Sequence, residues 1–316
     1  MAKSKKTKIN SRDFVIGVDG GGTKTGVALA DMQGNIVVRA VSGISNPRNV
    51  GVEAAAKNIA EGIVGVLKGK RNIKIISTFI GLPAIEEEYK DKKPVIIREL
   101  KKNKKIAAIF KGNVQIGSDQ MVAFRSGASG KDGIVAIAGT GCAVHGWNGG
   151  RQSKVNGWGW LADEGSAFWI GQKTFQAILK SYDGRVTDTI LEKVALKNLK
   201  LKSLDKLVDF VYADFAKNIP MLFRVCDEAA CSGDKVAREI LIAAGKEISL
   251  SVREVASKLN FFEQVPLVLV GGAYLSRWVA DTAMNEIDRY YPKKFDFVVV
   301  SDPVAGAVRL ALEAKR

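Results

Sequence analysis

Asp19 followed by Gly20-Gly21-Gly22 and then Thr23-Lys24-Thr25 closes an apolar run over Phe14 to Val18, and no other stretch of the chain restricts its fold as much. The run has the β-branched and aromatic character of a buried strand. Glycines lack a Cβ, so a turn made of them can take positive φ and bring its backbone N–H groups against an oxyanion. Thr23 and Thr25 add hydroxyl donors, and Asp19 stands where metal-bound water can be held. These are the parts of a polyphosphate-binding turn; an ordinary glycine hairpin is the other reading the pattern allows. It is not a Walker A loop, because the Gly17-to-Gly22 spacing fits but Thr23 stands where that motif needs lysine.

The same plan recurs about 120 residues later, which points to a duplicated domain. Strands predicted over 14–18, 26–31 and 36–41, the last two joined by Gln33-Gly34-Asn35, are matched by strands over Ile134 to Ala138 and Cys142 to Trp147. Between these lies a second glycine–threonine turn, Gly139-Thr140-Gly141, and after them the turn Asn148-Gly149-Gly150. Two such turns on duplicated domains could grip one polyphosphate from both sides. Elsewhere apolar runs alternate with amphipathic stretches, an α/β pattern. Helices are expected over 51–68, 88–102, much of 164–258, 276–290 and 303–315, with strands over 73–80, 113–117, 266–270 and 295–300. The expected domains are 13–119, joined by the closing helix 303–316, and 120–302 with helical insertions; 1–12 reads as a basic flexible tail.

The net charge of +15 is concentrated. Lys3, Lys5, Lys6, Lys8 and Arg12 crowd the first twelve residues, and nine Lys or Arg face only Asp91 and Glu99 in 90–111. A nucleic-acid footprint would look like this, but aromatic stacking platforms are missing, so a solvated lysine-rich face is the better expectation and nucleic acid is not an expected partner. No apolar run reaches the length of a membrane span, and the start Met-Ala-Lys-Ser-Lys-Lys is no signal peptide. Cys142, Cys226 and Cys231 cannot form a disulfide framework, which suits a reducing cytoplasm, and with His145 as the single histidine no zinc pattern assembles.

Asp119 falls at the carboxyl end of the 113–117 strand, where ligands gather in α/β sheets. It can serve as a general base for a hydroxyl, or as the cap of the helix beginning near Gln120; the spacing leaves both open. Residues 156–166, Asn-Gly-Trp-Gly-Trp-Leu-Ala-Asp-Glu-Gly-Ser, form the densest polar–aromatic stretch. Glycines around Trp158 let backbone approach a polar ligand, and Asp163 and Glu164 can accept from its hydroxyls. A capping Asp with core tryptophans behind it is the competing reading. Gly271-Gly272 after Leu267 to Val270 suits a nucleotide contact or a plain crossover turn.

Gly17-Val18-Asp19-Gly20-Gly21-Gly22-Thr23-Lys24-Thr25, Ala138-Gly139-Thr140-Gly141, Gly157-Trp158-Gly159 and Asp163-Glu164-Gly165-Ser166 together resemble the N-acetylglucosamine kinase group of the BadF/BadG/BcrA/BcrD ATPase family, within the actin and sugar kinase superfamily. Archaeal hexokinases of the same group are equally similar. The motifs span most of 14–171; the likeness over 172–316 is looser. The resemblance implies two ribonuclease-H-like domains, as in actin-like ATPases, around a central cleft, with ATP and Mg²⁺ as cofactors and a hexose or hexosamine phosphorylated on its 6-hydroxyl. It implies Asp119 as catalytic base, and Asn46, Gly157, Trp158, Gly159 and Asp163 at the sugar. Gly21, Gly22, Thr23, Lys24, Thr25, Gly139, Thr140, Gly141, Gly271 and Gly272 fall to ATP, and Asp19 to Mg²⁺ through water. A homodimer is a further implication. Cys142 replaces the usual serine after Gly-Thr-Gly, and Ala143 an asparagine near the sugar, which leaves room for glucose or glucosamine beside N-acetylglucosamine. Two alternatives remain from other classes. One is an ATPase activator of a 2-hydroxyacyl-CoA dehydratase system, which needs cluster-binding cysteines where only Cys226 and Cys231 lie near each other. The other is a non-catalytic sugar or ATP sensor.

Overall fold

The computed structural model describes residues 12–86, 88–110 and 112–314, so the predicted basic tail, Arg12 apart, and Lys111 lie outside the described residues. Its elements run β1 (Asp13–Gly20), β2 (Thr25–Asp31), β3 (Ile36–Ser42), α1 (Pro47–Val50), α2 (Val52–Leu67), β4 (Lys74–Leu82), α3 (Lys93–Lys101), α4 (Lys104–Ile109), β5 (Asn113–Ser118) and α5 (Asp119–Gly127). There follow β6 (Gly133–Ala138), β7 (Cys142–Asn148), β8 (Arg151–Asn156), α6 (Ala167–Tyr182), α7 (Leu191–Leu199), α8 (Leu204–Ala213), α9 (Phe215–Asn218), α10 (Leu222–Cys231) and α11 (Lys235–Leu259). The chain closes with β9 (Val265–Val270), α12 (Arg277–Tyr290), β10 (Phe295–Val300) and α13 (Val304–Glu313). It divides into two compact units, residues 1–129 with 302–316, and residues 130–301. The division falls after α5, beyond the expected boundary near residue 120.

In the first unit the sheet order is β3-β2-β1-β4-β5, with β1, β2 and β3 antiparallel and β4 and β5 parallel to β1. The side-chain period of two decides which residues meet which helix. Ile16, Val18, Val27 and Leu29 turn to one face and pack on Ile59 and Ile63 of α2. Val15, Ala28 and Ala30 turn to the other and pack on Val122 of α5 and on Val304, Ala307, Val308 and Ala311 of α13. A sheet covered on both faces explains why β1 reads as a continuous apolar run rather than an alternating one.

The second unit repeats the arrangement. Its sheet order is β10-β9-β6-β7-β8, with β6, β7 and β8 antiparallel and β9 and β10 parallel to β6. Strand for strand this is the first sheet again, as the duplicated turn motif predicted. The helices 164–258 expected from composition are six, α6 to α11, and Ile248, Val252 and Val255 of α11 cover one face of the sheet with Ile134, Ala136 and Val144.

The lysine-rich helix expected over 88–102 differs in detail. The α-helix starts only at Lys93, beside Pro94, which fits the first helical turn, where no intrahelical N–H bond is due. A separate α4 follows, capped by Asn103 Oδ1, which accepts from Lys105 N at 3.0 Å. Among the described residues no helix is long and apolar enough to cross a membrane.

Candidate functional site

In the first unit the carboxyl ends of the parallel strands align. Asp19 of β1 pairs with Gly81 of β4, and Gly81 with Gly117 of β5, so Asp119 follows β5 at the same edge of the sheet as the glycine turn follows β1. The turn is held from inside: Gly21 N donates to Lys24 O at 3.1 Å, and Ser45 N and Asn46 N both donate to Gly21 O at 3.2 Å. Thr25 is fully buried, and its hydroxyl donates to Gly43 O at 2.6 Å and lies 2.7 Å from Ser45 Oγ. Thr25 was predicted to touch the nucleotide; its side chain instead ties the turn to the segment that carries Asn46. Gly22, Thr23 and Lys24 are exposed at the tip. Asn46 caps α1, its Oδ1 accepting from Arg48 N at 3.0 Å, and its amide nitrogen lies on the Gly22 side of the turn.

Ser118, not Asp119, caps α5: Ser118 Oγ accepts from Gln120 N at 3.1 Å, and Asp119 is the first helical residue. This sets aside the capping reading of Asp119. Asp119 also lies close enough to Asp19 to repel it. The Asp19 carboxyl is pushed up to about 7, first by burial, then by the charges of Asp119 and Asp302, with Lys24 opposing. Asp302 was not anticipated. It precedes α13, pairs with Arg39 at 3.0 Å, and brings a third carboxylate to this edge. The one available signal was Ser301-Asp302-Pro303 at the end of a predicted strand, before a helix expected to return to the first domain.

The elevated Asp19 value has a stability consequence whose sign is fixed. The unfolded carboxyl ionises near 3.8, so keeping Asp19 protonated stabilises the fold below that pH, and the contribution is lost as pH rises towards about 7. Asp19→Asn removes the charge that would be buried. Without divalent cations it is expected to raise stability by about 1–2 kcal/mol at pH 8, discounted for the water that still reaches the group. It should give no gain at pH 4. Thermal melts of both proteins at the two pH values check this; equal differences at both would refute it.

In the second unit the turn 139–141 closes through Gly139 N donating to Gly141 O at 2.9 Å. It is anchored to the start of α6, since Ala167 N donates to Gly139 O at 2.8 Å and Phe168 N to Thr140 O at 3.3 Å. Gly271 packs directly behind it. With φ of 126° and a hypothetical Cβ only 2.3 Å from Ala138 O, position 271 admits no side chain, while Gly272 and Gly139 face open space. The predicted nucleotide contacts of this unit are thus brought together.

The segment 157–163 folds around Asp163. Asp163 Oδ1 accepts from Gly157 N and Trp158 N, both at 2.9 Å, and Oδ2 from Gly159 N at 3.2 Å and Cys142 N at 3.3 Å. Positive φ at Gly157 (80°) and Gly159 (123°) lets three successive N–H groups converge on one carboxylate. The side chain is 3% exposed. Burial pushes its carboxyl up and the four donors pull it down, burial prevailing. Asp163 was expected to accept from sugar hydroxyls; the structure turns it inward, where it organises the loop. Of the two tryptophans, Trp160 packs on Phe168 and Phe215, whereas Trp158 is 79% exposed, with its ring open to a ligand. The Cys142 thiol is buried and pushed up to about 12 by burial and by Asp163, with Asn156 opposing, which makes it inert.

Two duplicated α/β sheets, each with a glycine–threonine turn after its first strand, define an actin-like fold. A Chromobacterium violaceum protein shares the fold at a TM-score of 0.71 and 19% identity, over 95% of this chain and 98% of that one. A ROK family glucokinase from Streptomyces griseus does so at 0.62 and 16% identity, over 95% and 99%. The chain belongs to the BadF/BadG/BcrA/BcrD ATPase family, whose model matches residues 16–312. It is 31% identical to the N-acetylmuramic acid/N-acetylglucosamine kinase of Clostridium acetobutylicum, over 94% of this chain and 98% of that protein. It is likewise 31% identical to the N-acetyl-D-glucosamine kinase of Dictyostelium discoideum, over 97% and 100%.

Proposed function

We infer that the protein is an ATP-dependent sugar kinase that phosphorylates the 6-hydroxyl of a hexose or hexosamine. The observation that carries this is the placement of Asp119, released from capping by Ser118, in the same row as the glycine turn after β1. The amino-sugar kinases among its relatives set the substrate class. Asp119 accepts the proton of the sugar hydroxyl as that oxygen bonds to the γ-phosphorus of ATP and the bond from that phosphorus to the bridging oxygen breaks, releasing ADP, a contribution of roughly 10²–10⁴-fold. Gly22, Thr23 and Lys24 stand exposed at the tip of the first turn and bind the phosphates, with the Gly21 N–H closing that turn on Lys24 O; in the second unit Thr140 and Gly141 bind them, with the Gly139 N–H closing that turn on Gly141 O and Gly271 and Gly272 beside the adenosine. Asn46, Gly157, Trp158 and Gly159 hold the sugar, while Asp163 fixes the shape of that loop from behind.

The first unit fits Mg²⁺ held through water: Asp119 and Asp302 are near enough to Asp19 to disfavour its charge, while among the described residues no three acidic side chains converge closely enough to ligate one ion directly. Asp19, through water, and Asp302 would hold the ion, which when bound neutralises charge on the transferred phosphoryl group. The activator reading is the weaker one, because Cys226 is buried while Cys231 is exposed on the same helix, so the two do not face one cluster. Cytoplasmic residence and a homodimer belong to the proposed reading, and sedimentation tests the latter.

The deciding experiment is ADP release from Mg²⁺-ATP with glucose, glucosamine, N-acetylglucosamine and N-acetylmannosamine. Strong stimulation by one or a few sugars is expected. Turnover indifferent to every sugar would overturn the kinase and favour an activator or sensor.

A further inference from the structure

The lysine-rich segment that the proposed reaction does not use forms one wall of a groove of the first unit, about 1330 Å³ in volume, between α2 and the α3–α4 segment. Its floor is apolar. Ala60, Val64 and Leu67 follow one another along α2 at helical spacing, with Ile109 of α4 beside them; these are the outward neighbours of the core formed by Ile59, Ile63 and Val66. Its rim is cationic. Lys57, Lys68, Lys70 and Arg71 stand on the α2 side and Lys102 and Lys105 on the other. Lys102 is engaged by Glu99 at 2.6 Å, but no ion pair with a described residue neutralises the other five, against which the groove sets Glu53 and Glu61.

We propose that this groove docks an acidic amphipathic helix of a partner protein. Its volume exceeds the 300–1,000 Å³ usual for small-molecule sites. An apolar stripe spaced i, i+4, i+7 between cationic rims matches the apolar face and flanking carboxylates of such a helix. Nucleic acid is a poorer fit, because the cations surround an apolar floor and no aromatic ring lines it. A second copy would bring its own net charge of +15 to this cationic rim, so the homodimer of the proposed reading is expected on another face. The turn 68–73 precedes β4, whereas Asp19 pairs with the other end of that strand at Gly81, so an occupied groove leaves the proposed site accessible. The proposal does not depend on the kinase reading.

The test uses fluorescence anisotropy of a labelled peptide of about sixteen residues, leucine on one helical face and glutamate elsewhere, with the full chain in physiological salt. A scrambled peptide of the same composition measures charge alone, and a duplex RNA measures the competing class. The variant Lys57→Glu/Lys68→Glu/Lys105→Glu is compared with Lys180→Glu/Lys193→Glu/Lys235→Glu, the same charge change on exposed sites of the second unit. The patterned peptide should bind at least about tenfold tighter than the scrambled one, and the groove variant should lose at least about tenfold while the distant variant loses less than about threefold. Melting temperatures and any sugar-dependent turnover should stay unchanged in both. Equal binding of the two peptides, equal loss in the two variants, or tighter binding of the duplex would each overturn the proposal.

Discussion

Asp119→Asn should lower sugar-dependent ADP formation by about 10²–10⁴-fold, with the loss in kcat and little change in the melting temperature. The expected separation of activity from stability follows from the local structure. Ser118 supplies the cap of α5, so the helix start does not need the Asp119 carboxylate. Asparagine keeps the size and the hydrogen-bonding reach of the side chain but cannot take a proton. It also removes one of the two carboxylates that repel Asp19, so the fold should be unaffected or slightly firmer at neutral pH. A sugar ligand without a proton-transfer role would instead show a raised KM at near-normal kcat. Retention of more than about a tenth of wild-type kcat at saturating sugar would remove Asp119 as the base.

The sheet plan was legible because both of its signals are local. A glycine turn after an apolar run needs no tertiary knowledge, and its recurrence near residue 139 predicted the second sheet, strand order aside. Asp119 could be placed because the carboxyl end of a parallel strand is where such a residue has a purpose. What the sequence concealed was the direction in which polar side chains point. Thr25 and Asp163 carry the same groups as a ligand contact, yet both face inward, because nearby backbone donors and acceptors had to be satisfied away from water. Asp302 was concealed for another reason: the return of the closing helix to the first domain was expected, but nothing in Ser301-Asp302-Pro303 marked the residue ahead of that helix as a neighbour of Asp19. The break between α3 and α4 hinged on Asn103 acting as a cap, a role its position in a lysine run obscured.

Asp163→Asn is the substitution that best separates a sugar ligand from an internal anchor. If the carboxylate bound sugar, an amide would weaken binding and leave the fold alone. As an anchor it accepts four backbone N–H groups, two on each oxygen. An asparagine must turn its NH₂ towards one of those pairs, so either Gly157 and Trp158 or Gly159 and Cys142 lose their acceptor and face a donor instead. Leaving such groups unsatisfied in a site 3% exposed is expected to cost about 2–4 kcal/mol, and Asp163→Ala, which removes all four acceptor contacts, about 3–5 kcal/mol. The alanine variant should melt about 10 °C lower and be cut by protease within 157–161, with Trp158 fluorescence altered before any sugar is added. Because Cys142 begins β7 directly after the 139–141 turn, the freed loop should also loosen the turn offered to phosphate, so ATP and sugar affinities should fall together. Unchanged melting with a selective rise in the KM for sugar would return Asp163 to the ligand role that its position in the motif suggested.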